Sequence, residues 1–279
     1  MTESSTEAER QIVRRDPLSG TITVENSPDH VAAESPLEIR VENKSVAVVM
    51  RTPGHDEELT AGFLLTENIV HKKQDIFELS QCPSLQTEEE ENNVIDVALS
   101  NPDKTKLDQL TRHVFSSSSC GVCGKATIES VFQSFPPVTG DTPAISPDTL
   151  LSLPEKLRAA QRTFEQTGGL HASALFTADG SLEFLREDVG RHNALDKVLG
   201  HALLNNLLPL SQYLLLVSGR ISFELAQKAL AAGIPFIAGI SAPSSLAVDF
   251  CRDSNQTLVG FLRDHSLNVY TRPDRVTTA

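Results

Sequence analysis

The feature that most constrains the fold is a switch in periodicity near residue 170, where alternating strand and helix patterns begin. Ala172-Ser173-Ala174-Leu175-Phe176 and Leu182-Glu183-Phe184-Leu185 flank Asp179-Gly180, a hairpin signal. Asn193 to Leu204 has helical spacing at Leu195, Val198, Leu199, Ala202 and Leu203. Tyr213 to Val217 reads as a buried strand, Phe223 to Ala232 as a helix capped by Ser222, and Pro235 to Ile240 as a strand. A short helix over Ser244 to Phe250 and strands at Leu258–Leu262 and Leu267–Tyr270 follow. This pattern predicts a mixed sheet covered by helices, an α/β domain over 148–279 that opens with a helix over 148–166.

The preceding chain predicts a smaller α+β unit over 21–112. Thr21–Val24 alternates like a short strand, and Leu37, Ile39 and Val41 share one strand face. Val46–Met50 is a continuous apolar run, expected as a central strand, with a turn at Asn43-Lys44. A helix opens at His55 with acids in its first turn, buries Leu59, Phe63 and Leu64, and stops at a left-handed Asn68. Val94–Leu99 is another strand, residues 1–20 read as a polar tail or edge strand, and 113–147 hold a loop, a helix and a Pro-rich connector.

That loop carries Cys120-Gly121-Val122-Cys123 behind four serines. Ile128, Val131 and Phe132 then have helical spacing, so the thiols open onto a helix N-terminus. The dipole there, with Lys125 nearby, favours a thiolate, the form that attacks sulfur or binds metal. Four cysteines in 279 residues make no disulfide framework. The N-terminus shows no signal peptide, and the longest apolar run, Leu203–Val217, is broken by Asn205, Asn206 and Pro209. These readings predict a cytoplasmic protein that does not enter the membrane. Its formal charge of −13 argues against nucleic acid as a partner.

Ligands of α/β sheets bind beyond the C-terminal strand ends, at helix N-termini. Three turns have that placement: Arg186–Asn193, Ser218–Ser222 and Ser241–Ser245. Arg191, His192, Arg220 and Ser222 offer cations and hydroxyls to an anion. Singly, an arginine in such a turn is most often a surface residue; three successive turns predict an anion-binding crevice. His171 and His192 are each compatible with a hydrogen-bonded core histidine as well as with ligand contact. One CxxC supplies two zinc ligands, and Cys120 follows Ser119 where nucleobase deaminases have proline, so no metal site and no catalytic zinc are expected.

Taken together, Ser118–Gly124, Glu187–Ala194, Ser218-Gly219-Arg220 and Gly260-Phe261-Leu262-Arg263 resemble the FdhD family of formate dehydrogenase accessory sulfurtransferases. Arg51-Thr52-Pro53-Gly54 and Gly62–Glu67 resemble it too; Asn68 departs from the family's usual glycine but tolerates the same conformation. The resemblance implies a cytidine deaminase-like domain without zinc, and a homodimer. It implies that Cys120 and Cys123 receive persulfide sulfur from a cysteine desulfurase. That sulfur then passes to the molybdenum or tungsten bis(molybdopterin guanine dinucleotide) cofactor of formate dehydrogenase, the client. Phe261, Leu262, Arg263, Asp264, His265 and Ser266 match the family's cofactor-binding stretch, which a GDP-like ligand would also occupy. Two other classes compete. A thiol–disulfide oxidoreductase would need both cysteines and reduce generic disulfides, and a non-catalytic guanine-nucleotide-binding chaperone would need neither.

Overall fold

A computed structural model describes residues 4–81, 93–103, 134–140 and 142–277. Cys120, Cys123, the helix expected after them, Cys82 and the acidic run 88–91 lie outside the described residues.

Twelve strands and six α-helices are described. They are β1 (Ser5–Arg15), β2 (Ile22–Ala32), β3 (Ser35–Val41), β4 (Lys44–Arg51), α1 (Asp56–Thr66), β5 (Ile76–Gln81) and β6 (Val94–Leu99). There follow α2 (Pro147–Ala160), α3 (Arg162–Thr167), β7 (His171–Thr177), β8 (Leu182–Asp188), α4 (Arg191–Leu204) and β9 (Tyr213–Val217). The chain closes with α5 (Phe223–Ala231), β10 (Phe236–Gly239), α6 (Ser245–Asp253), β11 (Thr257–Arg263) and β12 (Ser266–Thr271). The main sheet has the order β12-β11-β10-β9-β7-β8. β9, β10 and β11 run parallel, while β7, β8 and β12 pair antiparallel, so the mixed α/β sheet expected from the sequence is present.

Strand alternation sends side chains to two cores. Ala174, Phe176, Leu214, Leu216, Phe236 and Ala238 pack on one face with Leu150, Leu153 and Leu157 of α2. Leu175, Leu215, Val217 and Ile237 face the other way, onto α4. α4 is buried all round, which explains its apolar composition on more than one side. Its far side joins Leu37, Ile39, Val41, Ile95 and Val97 of the sheet β4-β3-β6-β5, together with Leu59 and Leu64 of α1. The N-terminal and C-terminal units therefore share one continuous core.

Two glycines set how closely α1 and α4 approach. A Cβ on Gly62 would lie 1.8 Å from the Asp196 carbonyl oxygen, and one on Gly200 would lie 1.7 Å from that of Glu58. No larger residue fits at either position without moving a helix.

Several local expectations need correction. The run Val46–Met50 belongs to an edge strand, not a central one: β4 pairs with β3 alone among the described residues, and Val48 is exposed. A continuous apolar run says that both faces carry apolar residues, not where a strand lies in its sheet. The single helix expected over 148–166 is two, broken at Gln161. Residues 5–15, read as a tail or edge strand, pair with residues 22–32 along their whole length. β5 carried no recognised sequence signal. Asn68 has the left-handed φ expected of it, 62°.

Candidate functional site

The three strand-to-helix turns and the start of β7 meet at one edge of the main sheet. Because β7 runs against β9, His171 at its beginning lies beside the turn that leaves β9. The Ala172 N–H donates to Ser218 Oγ at 2.9 Å, and a Cβ on Gly219 would stand 3.3 Å from His171 Nδ1. The missing side chain at Gly219 lets the imidazole lie against the backbone. Gly239 plays the same part beneath the next residues, since a Cβ there would meet Ile221 at 2.9 Å. Ile221 exchanges backbone hydrogen bonds with Ala242 and Ser244, and the Phe261 N–H donates to the Ser241 carbonyl at 3.0 Å. The turns 218–222, 241–244 and 260–261 thus form one contiguous rim.

On this rim stand Arg191, His192, Arg220, Ser222 and Phe261. Arg191 and His192 begin α4, whose N-cap Gly190 has no side-chain cap. The buried Nε of Arg191 has no hydrogen-bond partner among the described residues. His192 is buried, with Nε2 3.2 Å from Glu224 Oε2. Ser222 occupies the N-cap of α5 as expected, but its hydroxyl donates to Glu224 at 2.9 Å instead of capping the helix. These contacts, the His192 hydrogen bond first, hold the Glu224 carboxyl down at about 2. His171 is pushed below its ordinary value by burial first, then by the positive charges of Arg191 and His192. Arg191, His192 and Arg220 stand at this edge of an acidic protein, with the Glu224 carboxylate held against His192. Phe261 is partly exposed and has φ 52°, a conformation rarely adopted by residues with a Cβ.

The stretch Phe261–Ser266 is not uniform. The Leu262 side chain is fully buried in the core under α2, so only its backbone reaches the edge. Arg263 and Ser266 face each other at the end of the β11–β12 hairpin, and Asp264 and His265 form its exposed tip.

Sequence reasoning missed the buried polar network that fixes the start of α4. Asp188 is fully buried; its Oδ2 lies 2.7 Å from Lys197 Nζ and accepts the Thr52 N–H at 3.1 Å. Its Oδ1 accepts from the Gly190 N–H and from Asn193 Nδ2. Lys197 also donates to the Thr52 carbonyl at 2.8 Å, and Thr52 Oγ1 accepts the Val189 N–H at 3.1 Å. Next to this clamp, buried Arg51 grips Asp56 through two 2.9 Å hydrogen bonds. Arg51 and Thr52 on one side and Asp188–Asn193 on the other therefore belong to one structural clamp, from which Arg191 and His192 turn toward the rim. A second buried pair, Asp196 with Lys228 at 2.6 Å, joins α4 to α5 and to Thr66 of α1. The signal available in the sequence was Asp196-Lys197 inside an otherwise apolar helix.

One His-x-Glu triplet, His55-Asp56-Glu57, occurs at the start of α1; His55 Nδ1 lies 3.3 Å from Glu58 Oε2. Among the described residues no group of three or more metal-ligating side chains converges. Cys251 is buried, and its thiol is pushed up to about 12 by burial, which makes it inert.

Comparison with known proteins covers almost the whole chain. The FdhD/NarQ family model matches residues 32–277. The chain is 50% identical over 256 residues to a protein of Streptomyces coelicolor named sulfur carrier protein FdhD, covering 91% of each. It is 51% identical to the protein of that name from Mycobacterium tuberculosis, covering 90% of this chain and 92% of that one. The protein of that name from Sulfurisphaera tokodaii is 44% identical, over 89% of this chain and 92% of its own. Among solved structures, a candidate formate dehydrogenase accessory protein from Desulfotalea psychrophila superposes with a TM-score of 0.72 at 25% identity. It covers 97% of this chain and 99% of its own.

Proposed function

The chain belongs to the FdhD/NarQ family, and from that premise we propose that it is a sulfur carrier serving formate dehydrogenase. The observation that carries this reading is 50% identity, over 91% of both chains, to a protein named for that role. In this reading the Cys120 thiolate attacks the terminal sulfur of a persulfide on a cysteine desulfurase. A new Cys120 persulfide forms and the donor leaves as a thiolate. Cys123 then attacks the inner sulfur, forming a Cys120–Cys123 disulfide and releasing sulfide to the metal of the acceptor. A cellular dithiol returns the pair to the reduced state. The reducing cytoplasm suits this cycle, and among the described residues no helix is long and apolar enough to cross a membrane.

The acceptor is written here as substrate: a molybdenum or tungsten bis(molybdopterin guanine dinucleotide) cofactor. Its phosphates suit the strand-end edge. Arg191 carries a buried Nε with no partner among the described residues, Arg220 is exposed in the turn that follows β9, and α4 presents its N-terminus there. Phe261 offers an aromatic face at the same edge. Two copies of the chain, as the family resemblance implies, form the working assembly.

Two experiments test the reading. After incubation with a desulfurase and cysteine, alkylation and mass spectrometry should find the persulfide on Cys120. Cys120→Ala should lose it and Cys123→Ala should retain it. Loading of a variant lacking both cysteines overturns the mechanism, and thiol-dependent reduction of insulin without any loading favours an oxidoreductase. By calorimetry, GDP should bind well and ADP much more weakly, and Arg191→Ala or Arg220→Ala should cost about 1–3 kcal/mol of GDP affinity. Equal affinity for both nucleotides removes the guanine assignment.

A further inference from the structure

The β1–β2 hairpin is a two-stranded ribbon of 11 residues per strand. Its base is anchored: the Ala33 N–H donates to the Ser4 carbonyl, Ser4 Oγ lies 3.4 Å from Thr163 Oγ1 of α3, and Ala32 packs near Gly169. Toward its turn it leaves Val13, Leu18, Ile22 and Val24 from 56% to 98% exposed. An isolated hairpin is marginal in water, and an exposed strand edge invites pairing.

Its two edges differ. β2 carries Pro28, which offers no N–H, and packs against α3 at its base. β1 has no proline and no strand on its outer side among the described residues. Its charges are also polarised. Arg10 and Arg14 are consumed by Asp29 and Glu25 on one face of the ribbon. On the other face stand Glu7, Glu9, Gln11, Val13 and Arg15, acids at one end and a cation at the other.

We propose that the outer edge of β1 is the contact between two copies of this chain, the strands lying antiparallel about a two-fold axis at Gln11. This rests on the two-copy reading above and assigns its surface. Only that register sets Glu7 against Arg15 of the partner subunit while Arg10 and Arg14 face Ile12 and Ala8. Shifting the axis to Arg10 or Glu9 opposes like charges; shifting it to Ile12 pairs Glu9 with Arg15 but sets Arg10 against Arg14; and shifting it to Val13 leaves Glu7 and Glu9 with no residue of the partner strand opposite them. The four-stranded sheet so formed carries each apolar turn to the base of the partner's hairpin.

The test is sedimentation equilibrium of the full chain with Glu7→Arg, Arg15→Glu and the double reversal. Two-fold symmetry counts each reversal twice, so each single variant should weaken the dimer about tenfold or more. The double variant should return it close to wild type. A dimer indifferent to all three variants, or single losses that the double does not restore, overturns the β1 interface and leaves the two-copy reading standing. A wild-type chain that stays monomeric overturns both.

Discussion

Lys197 and Asp188 show how little of this protein's polar chemistry faces the strand-end edge. Both are essentially without solvent exposure, and they hold the Arg51–Gly54 segment against the start of α4. Removing one partner strands the other charge in the core, which costs about 3–5 kcal/mol, whereas replacing both by uncharged residues costs far less. Lys197→Met should therefore lower stability in urea strongly, and adding Asp188→Asn should recover much of the loss. Equal loss in the single and double variants would mean that the pair contributes packing and not charge compensation. Asp188 lies within the turn Arg186–Asn193, read from the sequence as part of a crevice, yet it is buried, and Asp196 and Lys197 further along α4 are buried with it. Their burial depends on Thr52 and on Thr66 of α1, which lie 130 residues or more away in the chain, and local spacing carries no trace of that. Arg191, His192, Arg220 and Ser222 were legible because their position at strand ends follows from element order alone.

At the scale of elements, α1 against α4 decides how the two units fit. Alanine ordinarily improves a helix by about 1 kcal/mol over glycine. At Gly62 and Gly200 the added carbon would fall within 2 Å of a backbone oxygen on the facing helix, so the sign reverses. Gly62→Ala and Gly200→Ala should each destabilise by about 1–3 kcal/mol or more, measured by denaturant unfolding. Stabilisation by either would show that the helices are free to separate. Helix α1 itself was readable from its acidic first turn, its apolar stripe and Asn68; the closeness of its contact was not. Strands with regular alternation, such as β3, were legible for the same local reasons. β4 was misplaced because sheet order is a long-range property, and Gln161 gave no warning of a break.

For the whole molecule, the alternating pattern after residue 170 was sufficient to predict the mixed sheet, and with it the edge where the rim forms. The rim's cations gather locally on a chain with a formal charge of −13, so any anion it holds is met by placed groups and not by a general field. Leu262 shows the limit of carrying a stretch over by resemblance: alternation along β11 turns one residue of it into the core. In the proposed function, sulfur leaves the cysteines of this chain for a cofactor seated at that edge. This transfer is tested most directly by loading the chain with radioactive sulfur through a desulfurase, removing the donor, and adding formate dehydrogenase whose cofactor lacks its sulfido ligand. The label should move to the cofactor in step with the appearance of formate oxidation. Arg191→Ala with Arg220→Ala should load normally and transfer slowly. Activation of the dehydrogenase while the label stays on the chain, or by a chain lacking both Cys120 and Cys123, would contradict the account.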